Sequence, residues 1–210
     1  FSLKIPDNKL DSEKFDFRIF SSFLKSRFSY FYFFGIFCYV GVEQGINNWS
    51  SEFLYQYHSL DPAVVGVEVI SAFWGNLTIG TVINLFLIKL FDEKKLLNFY
   101  AISSSIIILL ALHSYSEVSV ISFKILGFSI SGIWSLMISL GLNSVPKNHS
   151  IFTGILLTGI VGGALFPFII AGLGQLFNLK VGMHIILLGF IYLSYVGFNA
   201  RPLIKNKVLI

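Results

Sequence analysis

The chain has 210 residues, of which 55% are hydrophobic and only 12% are charged, and its formal net charge is +4. Its mean hydropathy is +0.77. Soluble domains are about 45–50% apolar and about 25% charged, so a globular cytosolic enzyme is effectively excluded and a small polytopic membrane protein is expected. Six spans of roughly 20 residues use about 120 residues, which leaves enough for short loops and two tails. The single cysteine, Cys38, rules out an internal disulfide and any cysteine-based zinc site. His58, His113, His149 and His184 fall at span ends or in loops, without metal-ligand spacing and far from any serine and aspartate arrangement. Neither a metal nor a cofactor is expected, and no enzyme chemistry.

Residues 1–27 stand apart, with ten charges, Pro6 and no long apolar run. They read as a soluble arm with an amphipathic turn near Phe15, Phe17, Ile19 and Phe20. Six apolar stretches follow, over about Phe28–Tyr57, Ala63–Phe91, Leu96–His113, Val118–Leu142, Ile151–Phe177 and Val181–Ala200. Each is long enough to cross about 30 Å of hydrocarbon as a helix. The ten-residue alternation of a membrane barrel is absent. The expected organisation is therefore an arm (1–27), an all-α bundle of six transmembrane helices (28–200) and a short tail (201–210). The chain begins with Phe1, and its only methionines are Met137 and Met183. That reads as a processed chain or a piece of something longer.

Charge placement orients this arrangement. The arm, the second and fourth loops and the tail hold 13 basic residues, among them Arg27, Lys94, Lys95, Lys147 and Arg201, while the opposite side holds only Lys180. The positive-inside rule then places both termini in the cytoplasm, and a multi-pass protein of the cell membrane is expected. The basic residues are spread by topology and not gathered with aromatics into a patch, so no nucleic-acid partner is expected.

Several polar residues sit where lipid should be. Glu43 lies near the middle of the first stretch, and an ionisable group at that depth faces a cavity or a partner. Glu43 and Asn47 share one helix face, and Gln44 and Asn48 another. With Trp49 they offer donors and acceptors for hydroxyls and a ring to stack on, which suits a sugar-like ligand. A structural polar network between helices is the alternative. Gly41 and Gly45 permit close backbone approach or local unwinding. In the second stretch Glu68, Ala72, Asn76, Gly80 and Asn84 recur every fourth residue, a stripe that faces other helices or a pore, and Trp74 and Asn76 sit at mid-depth. Glu68 and Lys124 both lie near outer ends and suit a salt bridge or snorkelling. In the fourth stretch Gly127, Ser131, Ser135, Ser139 and Asn143 form a packing stripe. The fifth carries Gly154, Thr158, Gly162 and Gly163 before Pro167, which kinks a helix. Packing alone accounts for these glycines as well as gating does.

Four of these segments resemble one family. Phe37-Cys38-Tyr39-Val40-Gly41-Val42-Glu43-Gln44, with Trp49 and Tyr55 beyond it, resembles the seventh helix of sugar permeases of the major facilitator superfamily, in the fucose permease-like branch. Phe73-Trp74-Gly75-Asn76-Leu77-Thr78-Ile79-Gly80 resembles that branch's eighth helix. Ser139-Leu140-Gly141-Leu142 resembles the end of its tenth, and Gly159 to Pro167 its eleventh. The similarity runs in order over residues 28–200. It departs at Thr81, where the branch has arginine, and near Ser135, where it has proline.

The resemblance implies the carboxy-terminal six-helix half of a twelve-helix carrier, entered through a cytoplasmic linker at residues 1–27. It implies a secondary active transporter that moves a sugar or similar small polar solute by alternating access, with proton coupling. Substrate contact is expected from Glu43, Gln44, Asn47, Asn48, Trp49, Trp74 and Asn76, and helix packing or gating from Gly80, Gly162, Gly163 and Pro167. The partners are the solute, the lipid bilayer, and the missing amino-terminal half or a second copy of the chain. The alternatives are a self-standing six-helix protein that homodimerises into a channel or carrier, and a non-transporting remnant.

Overall fold

The computed structural model describes residues 16–204. Phe15, the lysines at 4, 9 and 14, and those at 205 and 207 lie outside the described residues, so the arm and tail are seen only in part. What is seen of the arm is an amphipathic helix, α1 (Phe17–Lys25). Asp16 caps it by accepting from the Arg18 backbone N–H at 2.8 Å. Its Phe23 packs on Phe152 with ring centroids 5.4 Å apart.

The first span is one unbroken helix, α2 (Arg27–His58). Its 32 residues reach about 48 Å at ~1.5 Å per residue. Ser26 caps its start, and Ser59 ends it in the left-handed region at φ 54°. No unwinding occurs at Gly41 or Gly45. A Cβ at Gly41 would meet the Phe166 ring and one at Gly45 the Ile170 side chain, so both glycines serve close approach.

The second span opens with a π-helical turn, Pro62–Gly66, capped by Asp61, and continues as α3 (Val67–Leu90). A two-residue turn leads to α4 (Glu93–His113), where Asp92 Oδ1 accepts from the Lys94 and Lys95 backbone N–H groups. The fourth span is broken: α5 (Ser116–Ile130) and α6 (Ile133–Leu142) flank a turn at Ser131–Gly132. The fifth is α7 (His149–Thr158), a 3₁₀ turn at Gly159–Val161, and α8 (Gly162–Leu176). The sixth is α9 (Leu179–Met183) and α10 (Ile185–Asn199). Five of the six spans are long and apolar enough to cross a membrane on composition alone. The exception, α2, has the length but carries the polar run from Glu43 to Ser51.

Two corrections to the sequence reading follow. The ladder of Gly127, Ser131, Ser135, Ser139 and Asn143 is not one continuous helical stripe. Ser129 and Ser131 Oγ donate to the carbonyls of Leu126 and Phe128, three residues back. Such back-bonding competes with the helical ladder and bends it. The ladder of Gly154, Thr158 and Gly162 is likewise interrupted, by the 3₁₀ turn that precedes the Pro167 helix.

The spans pair in a pattern that repeats. The first packs on the fifth and the fourth on the second; the sixth packs on the first and the third on the fourth; the third and sixth also touch. Exchanging the first three spans with the last three leaves these pairings unchanged. Glycines set the two main contacts. Gly162 lies against the Phe37 backbone carbonyl and Gly127 against that of Phe73, positions where a Cβ has no room. The core between the spans includes the fully buried Ile36, Val42, Leu97, Phe123, Leu136, Phe152 and Phe190.

Candidate functional site

The face of α2 that carries Tyr39, Glu43 and Asn47 at four-residue spacing looks toward α3 and α6. Tyr39 Oη donates to Glu43 Oε2 at 2.5 Å, and Gln44 Nε2 donates to Glu43 Oε1 at 3.4 Å. One turn on, Asn47 Oδ1 accepts from the Trp74 indole N–H of α3 at 2.8 Å. From α6, Trp134 lies tilted against Tyr39 with ring centroids 6.0 Å apart. Four expected residues, Glu43, Gln44, Asn47 and Trp74, are thus brought together with two that were not singled out, Tyr39 and Trp134.

The cluster sets an anchored carboxylate, amide groups and aromatic rings side by side. The Glu43 carboxylate is fixed by two donors yet only half-buried. Asn47 spends its oxygen on Trp74, which leaves its amide N–H groups unengaged among the described residues. Trp74 is 37% exposed, so its ring can be reached from the open side. Polar groups anchored beside accessible aromatic faces suit a ligand with hydroxyls on its edge and C–H groups on its face. A hollow of about 520 Å³ lies elsewhere, at the end of the bundle where α4 begins and α10 ends. The residues at mid-depth, not that hollow, form the candidate site, because a carboxylate held near the middle of a span is what demands a functional account.

The other expected residues are engaged differently. Asn48 is exposed and folds back to donate to the Gln44 carbonyl at 2.7 Å. Trp49 points to the opposite flank of α2, where its indole N–H donates to the Pro167 carbonyl at 3.1 Å. Asn76 donates to the Lys124 carbonyl at 2.9 Å and so ties α3 to α5. Gly80 sits against Ser131 and Phe128. Gly163 abuts Val40 and Gln44, so the glycine of α8 helps set where Gln44 lies, while Gly162 and Pro167 belong to the contact with α2.

Toward the basic end a second polar group is fully internal. Asn84 is 2% exposed; its amide donates to Ser135 Oγ at 2.8 Å, and its oxygen accepts from Tyr100 Oη at 3.1 Å. It joins α3, α4 and α6. Nearer that end, Ser139 Oγ donates to the buried Glu93 carboxylate at 2.6 Å. At the other end Glu68 and Lys124 form a salt bridge of 2.5 Å. Among the described residues no group of three or more His, Cys, Asp or Glu is placed to hold a metal ion.

No family model matches the chain. A structure of the E. coli fucose:proton symporter superposes with a TM-score of 0.80 at 18% identity, over 93% of this chain and 48% of that one. A second structure, of a major facilitator superfamily transporter in the outward conformation, gives 0.77 at 20% identity with the same coverage. The chain has the fold of one half of a major facilitator superfamily transporter. The exchange of its first and last three spans is the nested repeat of such a half. Among curated proteins, a glucose/galactose transporter of Brucella abortus is 27% identical over 169 residues, covering 78% of this chain and 40% of the relative. A putative glucose/galactose transporter of Helicobacter pylori is 29% identical over 171 residues, covering 80% and 40%. The chain spans about half the length of the solved transporters it matches and 40% of these relatives. The expected likeness to fucose permease-like carriers is met in the fold by the superposed symporter, and in sequence the chain is similar to proteins named as glucose/galactose transporters.

Proposed function

We propose that this half belongs to a secondary active transporter that moves a hexose or similar small polar solute by alternating access. The observation that carries the reading is the mid-depth cluster of Tyr39, Glu43, Gln44, Asn47, Trp74 and Trp134. The relatives' names add glucose and galactose as the sugars to try first, and the superposed symporter adds fucose and a proton. In this reading the chain is the carboxy-terminal half, residues 1–27 form the linker, and the site faces a second six-helix half across the midplane. The cluster is the first place to look for substrate contact, with Asn48, Trp49 and Asn76 in supporting positions. The transporter lies in the cell membrane with both termini of this half in the cytoplasm.

The test is uptake of radiolabelled glucose, galactose and fucose by cells that make the complete carrier. Glu43→Gln, Asn47→Ala, Trp74→Ala and Trp134→Ala are expected to reduce uptake at least tenfold at unchanged membrane levels, about the effect of losing one well-placed hydrogen bond or stacked ring. Parental uptake in all four overturns the site. Sugar-dependent alkalinisation of the medium checks proton coupling.

A further inference from the structure

Two hollows flank the start of α4, one toward the end of α10 and the other toward the end of α3. The first, about 520 Å³, is lined by Lys94, Lys95 and Arg201, with Asp92, Asn98 and Phe198. The second, about 430 Å³, is lined by Leu87, Phe91, Leu96 and Phe99, with Lys95 at its edge. Lys95 is common to both, so a strongly cationic chamber opens beside an apolar groove.

The cations of the first hollow are unspent. Among the described residues none of Lys94, Lys95 and Arg201 is ion-paired. The Asp92 carboxylate is committed to the backbone N–H groups of Lys94 and Lys95 as the cap of α4. Three cations therefore share their hollow with a single carboxylate and leave it net positive. Both volumes lie in the ~300–1,000 Å³ range of ligand sites. The groove walls remain uncovered, with Phe91 50% and Phe99 65% exposed.

We propose that this pair of hollows binds one anionic phospholipid, with its phosphate among Lys94, Lys95 and Arg201 and an acyl chain along Leu87, Phe91 and Phe99. The groove selects a lipid over a free anion, because a soluble phosphate has nothing to place there. The geometry also sets an order of importance. Lys95 serves both chambers, so its loss weakens the site more than the loss of either other cation. The site involves none of the mid-depth residues, so its fate is independent of the transport reading.

The protein is purified in detergent and titrated with dioleoyl phosphatidylglycerol, dioleoyl phosphatidylcholine or inorganic phosphate, and bound lipid is counted by native mass spectrometry. Retention of phosphatidylglycerol over phosphatidylcholine is expected. It should fall about fivefold in Lys94→Gln and in Arg201→Gln, and by more than that in Lys95→Gln. Leu87→Trp, which fills the groove, should weaken phosphatidylglycerol without altering the charge. Equal retention of the two lipids overturns the proposal, as does undiminished phosphatidylglycerol in the charge variants, or binding of inorganic phosphate as tight as that of the lipid. Arg201→Gln lies beyond the last helix on an exposed residue, so it reads out binding even if the lysine variants fold poorly.

Discussion

Glu43 shows how much one residue can be made to answer for. A carboxylate at mid-span is costly unless it is held, and here Tyr39 and Gln44 hold it. Tyr39 is itself only 4% exposed, so the dependence runs both ways. Glu43→Ala leaves the Tyr39 hydroxyl buried without an acceptor and should cost about 1–2 kcal/mol of stability. Tyr39→Phe in turn leaves the carboxylate with only the longer Gln44 bond and should cost at least as much. The double variant should fall short of the sum by about 0.5 kcal/mol or more, because the two groups share one hydrogen bond. Thermal unfolding in detergent measures all three, and strict additivity would show that the bond contributes nothing. Glu43, Gln44 and Asn47 were legible in the sequence because amides and carboxylates in an apolar run stand out. Trp134 was not. A tryptophan among apolar residues reads as core, and its meeting with Tyr39 depends on how α6 leaves the turn at Ser131–Gly132. The direction of Trp49 was equally hidden, since a ring beside a polar stripe can turn to either flank of its helix.

At the scale of elements, the two ladders read from sequence turn out to face each other. Asn76 meets the Lys124 carbonyl, Gly80 meets Ser131, and Asn84 meets Ser135, so α3 closes along α5 and α6 like a seam. Periodicity showed that both stripes avoid lipid; only the packed structure shows that they avoid it together, and that Tyr100 of α4 joins them through Asn84. Asn84→Ala should therefore cost about 1–2 kcal/mol, in the range of hydrogen bonds between membrane helices, and Tyr100→Phe a similar amount by the same measurement. The glycines divide sharply. Gly127→Leu and Gly162→Leu push a side chain into a neighbouring backbone and should lower stability by about 1–3 kcal/mol or block folding. Gly154→Ala and Gly172→Ala meet nothing within 4 Å and should be neutral or stabilise by up to about 1 kcal/mol. A sequence lists all four glycines alike. The break at Ser131–Gly132 was illegible for a related reason: without proline, nothing in a serine pair marks the end of a helix until its side chains bond back three residues.

The whole molecule has covered and uncovered sides. In the apolar stretch of the fourth span 61% of residues are buried, against 22% in the second and 33% in the fifth. The second and fifth spans are partners of the fourth and first, and they stand at corresponding places in the repeat, so the two least covered helices are related by the same exchange that relates the pairings. A half that leaves both exposed is one that lipid or another half must cover. The charge split predicts which way it stands in the membrane, and cysteine chemistry checks that prediction. The native thiol, Cys38, lies within α2, so Cys38→Ser gives a quiet background for single cysteines. Lys147→Cys and Arg201→Cys sit on exposed residues at the basic end, and Glu117→Cys and Gln175→Cys on exposed residues at the other. With an impermeant maleimide on intact cells, Glu117→Cys and Gln175→Cys should label at once, and Lys147→Cys and Arg201→Cys only after permeabilisation, because lysine and arginine are retained on the cytoplasmic side. The reverse pattern would invert the orientation. Labelling of one residue from each end in intact cells would break the six-span arrangement itself, since an even number of crossings is what puts Arg201 on the side where Lys147 lies.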